Sequence, residues 1–181
     1  VQIDSVDNVY GEGGNDYFSA SSFDFSLIDG GAGTNYFTSP QQYLDNGLLS
    51  VDFRDIPAGK ITNITFLDYR SAYDEGQILI SEQTFKTFGK DAIAILTNQA
   101  YSARQAIGLE GDFAYSGSTD YWDIYKLTSA GESYLVYVIK GESIYNISDS
   151  ELSFSLTNNK IPEIAGHVVG HLNSFESGWI G

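Results

Sequence analysis

Two glycine-rich stretches near the amino end constrain the fold of this chain more than any other feature. Residues 11–18 read GEGGNDYF and residues 30–37 read GGAGTNYF. Both follow the nonapeptide pattern G-G-x-G-x-D-x-U-x, in which U is a large apolar residue. Repeats of this kind stack as successive turns of a parallel coil, and each turn contributes a short strand. We therefore expect two equivalent loops in one coil.

Each position of the pattern has a mechanical reason. Glycine permits the positive φ angles of a tight turn and lets backbone carbonyls converge on one point. The sixth position, Asp16 in the first stretch, adds the hard anionic oxygen that calcium prefers. The eighth residues, Phe18 and Phe37, are expected to begin short strands and to point into the coil. Ordinary Gly/Asn/Asp turns are the alternative, and the matching register of two loops favours calcium.

The spacing of the two loops predicts how they stack. They begin at residues 11 and 30, close to two nonapeptides apart, so both should lie on one edge of the coil. A calcium ion between them would take backbone carbonyls from both loops and the Asp16 carboxylate. Asp7 and Asp24 should lie near the opposite edge as a weaker second site. The full set of expected ligands is Asp7, Gly11, Gly13, Asp16, Asp24, Gly30, Ala32 and Asn35.

The chain departs from the pattern at three places. Glu12 replaces the second glycine of the first loop, and residues 19–27 contain no glycine. Asn35 replaces the acid of the second loop and offers only a neutral oxygen, so calcium should bind less tightly there.

Composition narrows the classes of partner. Nine basic against 24 acidic side chains give a net charge of −15. This charge argues against nucleic acid and against anionic membrane surfaces, both of which attract positive groups. No apolar run approaches the roughly 18 residues of a membrane-spanning helix, so membrane insertion is not expected. There are no cysteines, so disulfides contribute nothing to stability.

The rest of the chain reads mostly as short strands. Pro40 and the polar residues after it mark a boundary between a repeat segment, 1–39, and a second domain, 40–181. Helical turns are predicted at Ser81–Gly89, with Ser81 as N-cap, and at Asn98–Gln105. The predicted strands are Leu48–Phe53, Ile61–Leu67, Gln77–Ile80, Ile93–Leu96, Ile107–Glu110, Trp122–Leu127, Tyr134–Ile139 and Ser150–Leu156.

Together these signals predict an all-β protein. The repeat segment is expected to form a truncated parallel β-roll, packed on a β-sandwich with one or two short helices. A hairpin is expected where a six-residue loop, 128–133, separates two strands.

The chain resembles the C-terminal regions of large bacterial RTX exoproteins, which are exported by type I secretion. The resemblance depends first on the two glycine loops, and more weakly on residues 60–68, KITNITFLD, and 108–112, GLEGD. It implies calcium-triggered folding outside the cell and a secreted or cell-surface location. It also implies a role as an adhesin module that binds glycan or a cell-surface protein, or as an accessory part of a secreted hydrolase or surface-layer protein.

No catalytic motif is convincing. His167 and His171 are one helical turn apart with Glu176 nearby, but Val168 stands where a zinc protease has its catalytic Glu. There is no G-x-S-x-G elbow. The acid pairs Asp52 with Asp55 and Asp74 with Glu75 are expected by chance in so acidic a chain. We therefore expect a non-catalytic module.

Aromatic residues near the predicted hairpin are a second candidate site. Alternation places Trp122 and Ile124 on one face of the strand, and Tyr121, Asp123 and Tyr125 on the other. Tyr121, Trp122 and Tyr125 are candidates for stacking against a sugar or peptide. The alternative is ordinary packing on a β-sheet, where aromatic side chains pair across strands.

Overall fold

The computed structural model describes residues 2–3, 8–39, 42–43, 49–70, 76–97 and 105–147. Most of these residues lie in strands, which confirms the all-β class. The elements up to residue 69 are β1 (Gln2–Ile3), β2 (Asn8–Tyr10), β3 (Tyr17–Ala20), β4 (Leu27–Asp29), β5 (Tyr36–Thr38), β6 (Gln42–Tyr43), β7 (Leu49–Asp52), β8 (Ile61–Thr62) and β9 (Phe66–Tyr69). The later ones are β10 (Gly76–Ile80), α1 (Glu82–Phe88), β11 (Ala92–Thr97), β12 (Gln105–Glu110), β13 (Ala114–Ser118), β14 (Trp122–Ser129), β15 (Glu132–Ile139) and β16 (Ser143–Ile147).

These strands form three sheets between which the chain alternates. Sheet 1 has the order β1-β3-β5-β9-β11-β15-β14-β13, sheet 2 the order β16-β12-β10-β7-β6, and sheet 3 the order β2-β4-β8. Successive strands along the chain usually belong to different sheets. Each passage through the sheets therefore adds a new strand beside the previous one, and the chain winds as a stack of coils.

Parallel pairing runs from the glycine-rich segment into the rest of the chain. Tyr17 pairs with Tyr36 and Phe18 with Phe37 where β3 meets β5. The same sheet continues from β5 to β9, where Phe37 pairs with Leu67. Sheet 1 thus extends across the predicted boundary after residue 39, and the division into two domains stays a prediction.

The pairing direction differs from that of the expected β-sandwich. Immunoglobulin-like sandwiches are built from antiparallel sheets. Among the described strands, only β6–β7, β13–β14 and β14–β15 pair antiparallel. Short alternating runs suit either direction, because pairing depends on how the chain returns and not on the run itself.

The helix α1 occupies the place of a strand in the winding. It connects β10 of sheet 2 to β11 of sheet 1, and the Asn63 N–H beside β8 donates to the Phe88 carbonyl at 2.9 Å. As predicted, Ser81 is the N-cap and Gly89 closes the last turn with φ +62°. The buried hydroxyls of Thr84 and Thr87 donate to backbone carbonyls at 3.2 and 2.9 Å, which fixes the helix against the coil.

A continuous row of apolar side chains fills the interior of the coils. Phe18, Phe37, Leu67, Ile95 and Val138 are in register on five neighbouring strands of sheet 1, and none has solvent exposure. Burial of each side chain contributes on the order of 2 kcal/mol. The inward orientation predicted for the two phenylalanines is confirmed.

Two predicted elements differ in detail. The run Ile61–Leu67 is not one strand, because Asn63 adopts φ +58° and turns the chain from sheet 3 into sheet 1. The predicted six-residue hairpin loop is instead a two-residue turn, Ala130 at φ +50° and Gly131 at φ +85°, of the kind that matches strand twist. The predicted helical turn Asn98–Gln105 lies outside the described residues except for Gln105, which begins strand β12. The predicted strand Ser150–Leu156 and the pair Asp74 and Glu75 also lie outside them.

Candidate metal centre

The two glycine loops stack directly on each other. The first loop, residues 11–16, joins β2 to β3, and the second loop, residues 30–35, joins β4 to β5. The Gly14 N–H donates to the Ala32 carbonyl at 3.0 Å, and the Ala32 N–H donates to the Glu12 carbonyl at 2.9 Å. The predicted stacking on one edge is therefore confirmed.

The second loop requires glycine because backbone carbonyls of the first loop occupy the space where a Cβ atom would be. A Cβ on Gly31 would lie 2.2 Å from the Glu12 carbonyl oxygen, and one on Gly33 would lie 1.9 Å from the Gly14 carbonyl oxygen. Gly31 also has φ +66°, and its counterpart Glu12 has φ +61°. The distance between the loops is thus set by backbone contact.

Two side-chain oxygens of asparagine complete the contact between the loops. Asn15 Oδ1 accepts the Thr34 N–H at 2.9 Å. Asn35 Oδ1 accepts the Asp16 N–H at 3.0 Å. The oxygen that we expected Asn35 to offer to calcium therefore accepts a backbone hydrogen bond in this structure.

The amide nitrogen of Asn35 closes the second loop. The residue has no solvent exposure. Its Nδ2 donates to the Gly30 carbonyl at 2.8 Å, to the Asn63 carbonyl at 3.0 Å and, more weakly, to the Gly31 carbonyl at 3.4 Å. The carbonyls that converge in this loop are therefore satisfied by an N–H donor.

Asp16 presents the opposite situation in the first loop. Its Oδ2 is buried and has no hydrogen-bond partner among the described residues. A Cβ on Gly11 would lie 2.7 Å from this oxygen and 2.6 Å from the Gly30 carbonyl oxygen, so both oxygens face one point. The Gly30 carbonyl already accepts the Asn35 Nδ2–H at 2.8 Å, whereas Asp16 Oδ2 has no donor among the described residues, which is unfavourable in a buried position. A hard cation such as calcium would satisfy Asp16 Oδ2 and would use the second lone pair of the Gly30 carbonyl.

The remaining expected ligands are dispersed. Gly13 and Ala32 face each other across the loops as an isolated parallel bridge. Asp24 lies on the opposite edge, where its carboxylate accepts the Ser22 hydroxyl at 3.1 Å. Asp7 lies outside the described residues. Within the described ranges, no three His, Asp or Glu side chains converge, so an ion near Asp16 would depend mainly on backbone oxygens.

Sequence reasoning missed Asp29, which holds the start of the second loop. Its Oδ1 accepts the Gly31 N–H at 2.9 Å and the Asn63 Nδ2–H at 2.8 Å. The Asn63 hydrogen bond, followed by that from Gly31, holds the pKa of the Asp29 carboxyl below its ordinary value. In an Asx-turn, an aspartate side chain accepts the N–H of the residue two positions later. The sequence Asp29-Gly30-Gly31 is compatible with such a turn, so this signal was present in the sequence.

The three aromatic candidates do not share one surface. Tyr121 is 64% exposed. The predicted alternation is confirmed: Trp122 packs with Ile124 on the outward face of sheet 1, whereas Tyr125 contacts Tyr115 edge-to-face at 5.8 Å. Burial, followed by the nearby Asp123 charge, raises the pKa of Tyr125 to about 12.

Another aromatic row lies beside the loops. Tyr17 stacks on Tyr36 at 6.3 Å, and Tyr36 stacks on Phe66 at 4.8 Å between ring centroids. Tyr17 is 43% exposed, so this row on the outward face of sheet 1 has an accessible end.

Two described acidic side chains, Glu82 and Asp52, have basic partners. A cleft of about 820 Å³ lies between α1 and the hairpin, and Glu82 on its wall bonds Lys86 at 2.6 Å. Asp52, one of the acids considered for catalysis, is held by Arg54 through two hydrogen bonds of 2.9 and 2.6 Å. His167 and His171 lie outside the described residues.

Comparison with protein-family models, with curated proteins and with solved structures found no match to this chain. Among the described elements, no helix has the length and apolar character needed to cross a bilayer.

The loop contact predicts a difference between two glycines that have nearly the same φ. Gly89 has φ +62° and open space where a Cβ would be, so Gly89→Ala should cost only the backbone penalty of about 1–2 kcal/mol. Gly31→Ala should cost a further ~1–3 kcal/mol, because the new methyl meets the Glu12 carbonyl. Urea unfolding of both variants measures the difference. Equal losses would show that the loops do not touch as described.

The Asp29 hydrogen bonds predict a pH dependence. Because the folded-state pKa is lowered, their contribution is fully present above the ordinary value of 3.8 and is lost as pH falls through the folded-state value. Asp29→Ala should lower the free energy of unfolding by on the order of 1 kcal/mol at neutral pH. The gap to the unaltered protein should shrink below about pH 4. Asn63→Gly, which removes the amide donor, should reduce this pH dependence in urea unfolding; an unchanged profile would contradict the assignment.

Proposed function

We propose that this chain is a calcium-binding, non-catalytic module of an exported bacterial RTX protein, which folds on binding calcium outside the cell. The observation that carries the proposal is the buried Oδ2 of Asp16, which has no hydrogen-bond partner within the described part of the chain and faces the Gly30 carbonyl across Gly11. Asp16 is the acid of the nonapeptide pattern. The position that the pattern assigns to calcium is thus a position where the described residues supply no hydrogen-bond donor.

The stacked coils support the same proposal. The loops are in register, with Tyr17 opposite Tyr36 and the Gly13–Ala32 bridge between them. In the proposed β-roll, an ion between the loops would bind carbonyl oxygens from both and the Asp16 carboxylate. Calcium suits such a site, since it accepts six to eight oxygen ligands in flexible geometry.

The net negative charge gives a reason why calcium binding would favour the folded state. At −15 the folded chain repels itself, and ions bound to carboxylates would relieve that repulsion. In a cytosol with little calcium the loops would gain no stabilisation. Outside the cell calcium would stabilise only the folded form, since the unfolded chain does not gather these oxygens at one point.

The expected size of the effect follows from mass action. A dissociation constant of about 0.1 mM with about 10 mM calcium gives roughly 2.7 kcal/mol for one site. That is a large fraction of the net stability of a typical domain.

Chelation should therefore lower the melting temperature strongly, and Asp16→Ala should reproduce part of that loss while reducing the response to calcium. Asp24→Ala is the matched control, since its carboxylate lies on the opposite edge, where it accepts the Ser22 hydroxyl in an exposed hydrogen bond, and its effect should be smaller. Melting is measured in calcium, in chelator, and in sodium chloride of equal ionic strength, which separates binding from charge screening. Equal melting temperatures in calcium and chelator would overturn the proposal.

A second candidate function is binding of glycan by an adhesin module with calcium as scaffold. The stacked row of Tyr17, Tyr36 and Phe66 favours it, because exposed aromatic rings are suitable surfaces for sugar rings. Tyr10, at the other end of the first loop, is 59% exposed.

Glycan binding should then depend on Tyr17. A sugar array followed by titration should give binding that Tyr17→Ala weakens at least about tenfold, the loss of about 1.4 kcal/mol. Tyr121→Ala removes a more exposed tyrosine away from the row and should leave binding unchanged. An array with no signal would leave only the calcium role, and equal losses in both variants would show that the row at Tyr17 is not the binding surface.

A further inference from the structure

Asp16 and Asn35 occupy the same position in two consecutive coils. They lie 19 residues apart, each directly before the paired residues Tyr17 and Tyr36. Each follows its loop glycine, Gly11 or Gly30, by five residues. Any difference between the two loops at this position is therefore a difference in side-chain chemistry and not in backbone placement.

The two side chains reach the same point of their loops. A Cβ on Gly30 would lie 2.6 Å from the amide nitrogen of Asn35 and 2.5 Å from the Asn63 carbonyl oxygen. In the first loop, a Cβ on Gly11 would lie 2.7 Å from Asp16 Oδ2 and 2.6 Å from the Gly30 carbonyl oxygen. An N–H donor in one coil thus replaces an anionic oxygen in the other.

The replacement changes what each loop requires. Asn35 Nδ2 donates to the Gly30 and Asn63 carbonyls at 2.8 and 3.0 Å, so the converging oxygens of the second loop already have a positive partner. Asp16 Oδ2 has no such partner among the described residues. This carboxylate oxygen is an acceptor and requires a positive group, whereas the Gly30 carbonyl beside it already accepts Asn35 Nδ2 and keeps one lone pair for such a group.

We propose that the Asn35 carboxamide takes the place of a cation in the second loop, and that this edge of the coil takes up calcium only in the first loop. The inference about stoichiometry depends on the proposed function; the inference about Asn35 does not. The second loop would then be closed by hydrogen bonds to Gly30 and Asn63 in the absence of metal. The second loop would then already have the conformation that the first loop packs against when the first loop binds calcium.

This arrangement would make calcium binding less costly. An ion that had to order both loops would lose part of its binding free energy to chain entropy. With the second loop already formed, only the first loop and its strand remain to be ordered, so the apparent affinity is higher.

Two exchanged variants of the full chain test the inference. Asn35→Asp should bind one more calcium ion than the unaltered protein, measured by calorimetric titration and by metal analysis after dialysis. It should melt well below the unaltered protein in chelator, because the amide donor is lost, and recover much of the difference in calcium. Asp16→Asn should melt above the unaltered protein in chelator and lose its calcium response, because an amide now supplies the donor in the first loop.

The ion counts separate failure of this inference from failure of the proposed function. An unaltered protein that binds no calcium, with Asn35→Asp binding one ion, would overturn the function and support the role of Asn35. If the unaltered protein binds calcium and Asn35→Asp binds no additional ion, the role of Asn35 is wrong and the function stands. If Asn35→Asp does not fold even in calcium, Asp16→Asn decides: a melting temperature in chelator no higher than that of the unaltered protein overturns the inference.

Discussion

The close contact between two backbone loops determines the rest of this structure. The carbonyl oxygens of Glu12 and Gly14 approach the α-carbons of Gly31 and Gly33 so closely that no side chain fits between them. This contact brings the strands that follow the loops to hydrogen-bonding distance, and Phe18 therefore lies directly over Phe37. A bulkier loop would separate the strands and interrupt the apolar row before it reached Leu67. The close contact between the loops therefore sets both the distance between successive coils and the continuity of the apolar row inside them.

Once the interior row is established, the outside of the coil tolerates large changes. The helix α1 connects β10 to β11 in a position where an earlier coil has the short strand β8. The strands β13 and β14 are inserted before β15, and β15 still pairs in parallel with β11. These insertions are compatible with the fold because the strands of sheets 1 and 2 on either side of them keep their inward residues in register. After each insertion, the chain returns to sheet 1 and adds a strand beside the previous one.

The sequence predicts local features of this structure better than its pairing. The glycine loops, the inward phenylalanines and the helix with its Ser81 and Gly89 ends follow from residue chemistry that acts over a few positions. Parallel pairing of the strands after residue 39 does not, because a short β-compatible run carries no mark of its neighbour or of its direction. The turn at Asn63 was missed for a related reason: its positive φ is stabilised by Asp29 and Phe88, which lie far away in the sequence.

The candidate site shows the same limit at the level of single atoms. The pattern correctly places Asp16 and Asn35 at equivalent positions, and it treats both as oxygen ligands. The structure uses the two ends of the Asn35 amide differently, with Oδ1 toward the Asp16 N–H and Nδ2 toward the loop carbonyls. A carboxylate at that position has no donor end, so the exchange of one atom alters what the surrounding carbonyls need. In a chain with a net charge of −15, each such amide also removes one negative charge from the stack. Asparagine in place of aspartate at this position therefore has two effects. It supplies hydrogen-bond donors to the loop carbonyls, and it reduces the charge repulsion that a bound ion would otherwise relieve.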